Sequence, residues 1–374
     1  MKKKYVLFSI VTLVLLVALI TSFNYFKTTN TYIDDSVNNQ TKITKGISMN
    51  LEQTAGAGDY KTVTQSSWPT EGYKFNAELS KCEKGSTLSW DDTKKAVIVS
   101  GNLSDKCYVY FDIYQPTLAE YIKSQYTGTQ GDNGIYYHNS TLANGAGDNS
   151  YRFAGASDSV NNYICLGSDK ATCPDANLFR IIGVFGAQTK VIRAKSVGNK
   201  QWHTSKDNTW SSSSLNTYLN GEYLTSLGTL ADKIATTTWK VGGGTYESIL
   251  TSVPATAYQY EVGSSASSTT YDAKIGLMYV SDYYYGASPS AWTTKLSSYS
   301  SNTSKNWLYL GSYEWTISRN SDYTSRAFYV LSTGDVSDGS TVTESYAARP
   351  SFNLLSSTTY VSGSGSMSDP VRVN

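Results

Sequence analysis

Four cysteines and a run of three tyrosines are the residues whose type and spacing could do chemistry in this 374-residue chain. Cys82 and Cys107 bracket two strand-like runs, Ser86–Trp90 and Ala96–Ser100. Cys165 and Cys173 bracket a short polar loop. Four cysteines permit three connectivities. The local pairing, 82 with 107 and 165 with 173, is the expected one, because each pair falls inside one module. Structural zinc sites want two cysteines a few residues apart with further Cys or His nearby. Neither spacing fits, and His138 and His203 are isolated, so no metal and no cofactor is expected.

The second candidate is Asp282-Tyr283-Tyr284-Tyr285-Gly286, followed by Trp292, in a long stretch between two strand-like runs. Long loops of this kind are usually functional or disordered. Tyr and Trp offer rigid contact area with a polar edge at low entropic cost, and can stack on sugar rings. Arg319 and Arg326, with Asp322 and Tyr323, lie beside a strand containing Trp315 and are expected to line the same face. Asp282, Tyr283, Tyr284, Tyr285, Trp292, Arg319 and Arg326 are therefore the candidate ligand-binding residues. The alternative is a Tyr-rich loop packed for structure alone.

Catalysis finds little support. The S-x-x-K, H-E-x-x-H, G-x-S-x-G and phosphate-loop patterns are absent. Asp132-Asn133-Gly134 and Asp148-Asn149 read as turns, since the calcium-loop pattern is missing. A pair of carboxylates distant in sequence leaves no motif, so a hydrolase of unrecognised mechanism stays open as the alternative. The charge balance, Lys+Arg 31 against Asp+Glu 30, gives a net charge of +1. No basic face for nucleic acid is expected from it.

The elements that must position these residues follow from patterning. Lys2, Lys3 and Lys4 precede an uncharged, apolar run over residues 5–26, ended by Lys27. That length suits a membrane-spanning helix, with a cleaved signal peptide as the alternative. The lysines orient the N-terminus inward, so residues 1–27 are expected to be an anchor and the remainder extracellular. Residues 28–60 read as a stalk or the frayed start of a domain. Residues 61–114 alternate at period two and read as a small disulfide-stapled, β-sandwich-like domain. Residues 115–150 hold a capping box, Thr117 to Glu120, a helix over Leu118–Tyr126, and a loop over Thr127–Ser150.

Within 151–374, Leu178–Phe185 and Lys190–Lys195 form a hairpin, and 211–227 has helical spacing. Short strands are expected at Lys274–Val280, Trp307–Leu310, Glu314–Ser318, Arg326–Leu331 and Ser351–Leu355. Val371–Val373 would tie the C-terminus into a sheet.

Several phrases in this region occur in a recognisable order. They are Trp210-Ser-Ser-Ser-Ser-Leu-Asn-Thr-Tyr-Leu-Asn-Gly221, Glu314-Trp315-Thr-Ile-Ser-Arg319, Ala327 to Val336, and Ala348-Arg349-Pro350-Ser-Phe-Asn-Leu354. Together they resemble a bacterial cell-surface domain family of unknown function, related to the C-type-lectin-like fold of formylglycine-generating enzymes. The resemblance covers about 150–374. The residues of these phrases themselves read as mostly structural: Trp210, Trp315, Arg349 and Pro350, with Arg349 entering a late strand beside a charge partner. No reactive cysteine pair of the formylglycine-generating kind has a counterpart near 315–354. The expected fold class is thus α+β: a transmembrane helix, a small β-sandwich-like domain, then a C-type-lectin-like domain with long irregular loops. The expected function is a membrane-anchored extracellular binding or adhesion protein of a Gram-positive-type bacterium, its ligand a glycan, peptide or protein. A purely structural envelope protein is a further alternative.

Overall fold

A computed structural model describes residues 46–374, apart from 65–66, 70–71 and 103–104. The chain divides into two compact units, Met1–Gln115 and Pro116–Asn374. The expected anchor over residues 5–26 lies outside the described residues. Among the described residues, no helix is long and apolar enough to cross a membrane. The expectation of a single-pass membrane protein is corrected to that extent: no spanning helix among the described residues supports it. The expected fold class is corrected as well: the described residues are mixed α/β, with more strand, 33%, than helix, 20%.

The first unit is a four-stranded sheet with a separate two-stranded hairpin that shares its core. Its strands are β1 (Ile47–Glu52), β2 (Tyr60–Val63), β3 (Tyr73–Cys82), β4 (Thr87–Asp91), β5 (Ala96–Ser100) and β6 (Cys107–Ile113). The order is β2-β1-β6-β3, with β1 and β6 parallel, while β4 and β5 pair with each other. Period-two alternation explains the packing. Cys107, Val109 and Phe111 are buried on one face of β6, and Val109 and Phe111 meet Met49 and Leu51 of β1, together with Trp68 and Val97. The stalk expected through residue 60 is therefore wrong at its end. Ile47, Met49 and Leu51 lie between Thr/Asn/Gln-rich neighbours, yet they alternate onto one face and place β1 inside the sheet. Cys82 and Cys107 sit opposite each other on β3 and β6 and are disulfide-bonded.

The second unit begins with α1 (Leu118–Ser124). Its capping box is complete: Thr117 Oγ1 accepts the Glu120 amide while the Glu120 carboxylate accepts the Thr117 amide. Leu118 and Ile122 enter the main core, so this helix belongs to the second unit. The residues expected to be pure loop after it contain β7 (Ile135–Tyr137), paired to β8 (Tyr151–Phe153).

The main sheet adds β9 (Tyr163–Cys165), β10 (Leu178–Phe185) and β11 (Gln188–Arg193). Seven consecutive residues of β10 are buried, as expected for a strand covered on both faces. β10 pairs with β11 on one side, and with β9 and then β8 on the other. Gly183 makes the β8 contact possible, because a Cβ there would lie 2.3 Å from the Tyr151 carbonyl oxygen. Cys165 and Cys173 form the second disulfide.

β12 (Asn199–Gln201) precedes a helical run, α2, over residues 214–226 that contains a π turn at Leu219–Tyr223. Next come β13 (Thr237–Lys240), α3 (Tyr246–Ile249) and α4 (Pro254–Glu261). β14 (Thr270–Ala273) pairs with β13. β15 is only Ile275–Gly276, where a strand through Val280 was expected. The reason is the Asp282 carboxylate, which accepts the Tyr279 amide at 2.8 Å and turns the chain into α5 (Val280–Tyr285).

A five-stranded sheet of β12, β16 (Glu314–Arg319), β17 (Ala327–Val330), β18 (Val336–Ser337) and β19 (Ser345–Ala347) runs in the order β12-β19-β16-β17-β18. The strand expected at Trp307–Leu310 is irregular chain, anchored by the Trp307 indole donating to the Phe153 carbonyl. β20 (Ser351–Asn353) joins β11, and β21 (Tyr360–Ser362) and β22 (Val371–Val373) close the main sheet beside β9.

Candidate functional site

The tyrosine triplet is not a contact surface. Tyr283, Tyr284 and Tyr285 lie on α5 and are each at most 1% exposed. Their hydroxyls donate to the carbonyls of Gly334, Ser252 and Asn144. Trp292 is fully buried, and its indole donates to Ala287. The stretch is a helix enclosed on all sides, and the proposal of a Tyr-rich binding loop is corrected. Three adjacent tyrosines point about 100° apart on a helix, so they can be buried together only if every side of it is covered.

Arg319 and Arg326 meet at Asn208. Arg319 donates to Gly242 O and Asn208 Oδ1, and the Asn208 amide donates to the carbonyls of Asn320, Tyr323 and Arg326. Arg326 stacks on Tyr323, 4.5 Å from the ring centre. Neither arginine lines a cleft with Asp282. The residues read as structural are buried: Trp210 in the core, Trp315 on β16, and Arg349 paired to Glu314 through Nε to Oε1 at 2.6 Å and Nη2 to Oε2 at 2.9 Å. Pro350 is likewise buried.

Asp282 alone leads to a site. Its Oδ2 accepts Lys190 Nζ at 2.5 Å, and its Oδ1 lies 3.7 Å from Arg152 Nη1. Lys190 projects from β11, Arg152 from β8 and Asp282 from the first turn of α5, and all three are buried. Arg152 also binds Asp148 at 2.6 Å, and Tyr258 of α4 donates to that carboxylate at 2.9 Å. Glu261, at the end of α4, accepts the Val280 and Ser281 amides at 2.8 Å each and the Ser318 hydroxyl.

Burial governs the electrostatics. It pulls the Lys190 ammonium below its ordinary pKa, against the attraction of Asp282. It pushes the Glu261 carboxyl up to about 7, against hydrogen bonds from Ser281 and Val280. Burial also opposes charge on Asp148, but Arg152 and Ser150 outweigh it and hold that carboxyl well below the usual range. His138, packed against Tyr285 and Trp292, is held well below its ordinary value by burial and by Arg152.

A cleft of about 240 Å³ opens over this cluster. Phe185, Trp239, Tyr258 and Tyr279 contribute aromatic walls, and Gln188, Thr238, Lys240 and Asn353 supply polar groups. Lys190 Nζ lies 4.6 Å from the Tyr279 ring centre and 5.3 Å from that of Trp239, so the rings cover the ammonium. Lys190 with Asp282 and Arg152 with Asp148 leave the floor close to neutral. The carboxylates are already engaged: the oxygens of Asp282 and Glu261 hold amides, a hydroxyl and Lys190. Among the described residues, no group of three His, Cys, Asp or Glu is placed to hold a metal.

Lys190, Arg152 and Glu261 were missed from the sequence. The one available signal was Lys190 itself, a cation on an apolar strand between Thr189 and Val191, which only a buried partner explains.

Residues 187–356 match a domain of unknown function, DUF6273. The DUF6273 segment contains Lys190, Trp239, Glu261, Tyr279 and Asp282, together with Trp210, Trp315 and Arg349; Asp148 and Arg152 precede it. No curated protein matches the chain, and no solved structure matches it. The kinship to C-type-lectin-like and formylglycine-generating folds expected from the motifs therefore rests on no comparison, whereas the domain of unknown function is found.

Proposed function

We propose that residues 116–374 are a binding module that takes a small, neutral, ring-shaped ligand, such as one sugar of a glycan, in the cleft over Lys190 and Asp282. The observation that carries this reading is the composition of the cleft: four aromatic side chains around a charge-compensated floor, with the partly exposed amide of Gln188 at its edge. Aromatic faces suit the apolar faces of a sugar, and side-chain amides suit its hydroxyls. A neutral floor gives no preference for a strongly charged ligand.

The hydrolase reading is less well supported. A glycosidase needs one carboxyl free to donate a proton and another free to attack or to activate water. Asp282 and Glu261 instead spend their oxygens on the backbone of α5 and on neighbouring side chains.

The test is a binding screen of the full chain against a panel of oligosaccharides and cell-wall fragments. Phe185→Ala and Gln188→Ala change partly exposed residues at the cleft and spare its buried floor. Each is expected to weaken binding about tenfold, equivalent to roughly 1.4 kcal/mol. Binding that both variants leave intact would place the ligand elsewhere.

A further inference from the structure

Lys190 and Asp282 have the arrangement of two groups set up to condense. The amine nitrogen is 2.5 Å from a carboxyl oxygen, both side chains are buried, and aromatic rings cover the pair. We propose that Lys190 and Asp282 become joined by a side-chain amide bond, formed within the folded chain without any other enzyme. The inference rests on the geometry of the cluster and not on what the cleft binds.

The chemistry balances with the atoms present. One proton passes from the ammonium to the carboxylate, giving a neutral amine and a neutral acid. The nitrogen lone pair attacks Cγ of Asp282 and an N–C bond forms. A second proton then moves from nitrogen to the hydroxyl oxygen, the C–O bond breaks, and water leaves. Nothing is oxidised or reduced, and no co-reactant is consumed.

Each neighbour has a part. Burial favours the neutral amine, because the charged form loses its hydration. Arg152 Nη1, 3.7 Å from Oδ1, faces the oxygen that carries negative charge in the tetrahedral intermediate. The cleft above Lys190 gives the departing water a way out. Condensation also removes two buried charges whose desolvation an ion pair repays only in part.

Tryptic mapping of the purified, reduced full chain reads the bond directly. The amide blocks cleavage after Lys190. It is expected to yield one branched peptide joining residues 181–193 to residues 275–295, lighter than the two together by one water. Fragmentation should place the link between Lys190 and Asp282. Lys190→Arg and Asp282→Ala should release the two peptides separately. Recovery of the two peptides unlinked from folded wild-type protein overturns the proposal.

Discussion

Lys190 Nζ on β11 lies 2.5 Å from Asp282 Oδ2 at the start of α5, across 92 residues of sequence. The contact fastens a short, fully enclosed helix to the central sheet, and Asp282 performs two tasks with one oxygen. It accepts the Tyr279 amide that begins the helix and the Lys190 ammonium that docks it.

Removing either partner strands the other in a buried site. Lys190→Ala or Asp282→Ala should each cost about 3–5 kcal/mol of stability, and the double variant clearly less than their sum. Equilibrium denaturation followed by tryptophan fluorescence provides the measurement. Additive losses would mean that the two side chains are energetically independent.

Glu261 makes stability depend on pH in an unusual direction. Its folded pKa of about 7 stands above the ordinary 4.5, so the folded chain holds a proton that the unfolded chain has released. Its contribution is therefore full below pH 4.5 and is lost as pH rises toward 7, by roughly 3 kcal/mol in all. His138 works the opposite way. Its folded pKa is lowered, so its contribution is full above pH 6.5 and is lost as pH falls. Wild-type stability between pH 4.5 and 6.5 should thus be nearly level or falling, whereas Glu261→Gln should become more stable as pH rises. Parallel pH profiles for the two proteins would refute this assignment.

The Cys82–Cys107 bridge spans 25 residues and pins β3 to β6. Cys82→Ser with Cys107→Ser should cost about 3.5 kcal/mol by loss of loop-closure constraint on the unfolded chain. Thermal unfolding of the double variant should show an early transition for the first unit.

Gly183 should not tolerate a side chain. The Cβ of Gly183→Ala would meet the Tyr151 carbonyl at 2.3 Å, and both neighbours are backbone of paired strands. A loss of roughly 1–3 kcal/mol is expected. Because β8 carries Arg152, exchange of the Arg152 amide should also quicken. An unchanged exchange rate would show that β8 does not yield.

What the sequence determined by itself was local. The two disulfides join cysteines 25 and 8 residues apart, the capping box of α1 spans four residues, and the β10–β11 hairpin closes over a two-residue turn. Each depends on spacing and residue type within a short stretch, where chain geometry leaves few options. The surroundings of Tyr283–Tyr285 were not legible in the same way. Whether three tyrosines face water or core depends on which distant elements cover them, and α4, β16 and the loop holding His138 come from well-separated parts of the chain.

Lys190, Asp282, Arg152 and Glu261 illustrate the same limit for the candidate site. Each residue has an ordinary sequence context, and their chemistry appears only when burial removes water and brings the charges within bonding distance. Composition established that charge is scarce in this chain, at 16% of residues. Tertiary structure decided that some of that charge is spent beneath an aromatic cleft, where loss of hydration makes each charge depend on its partner.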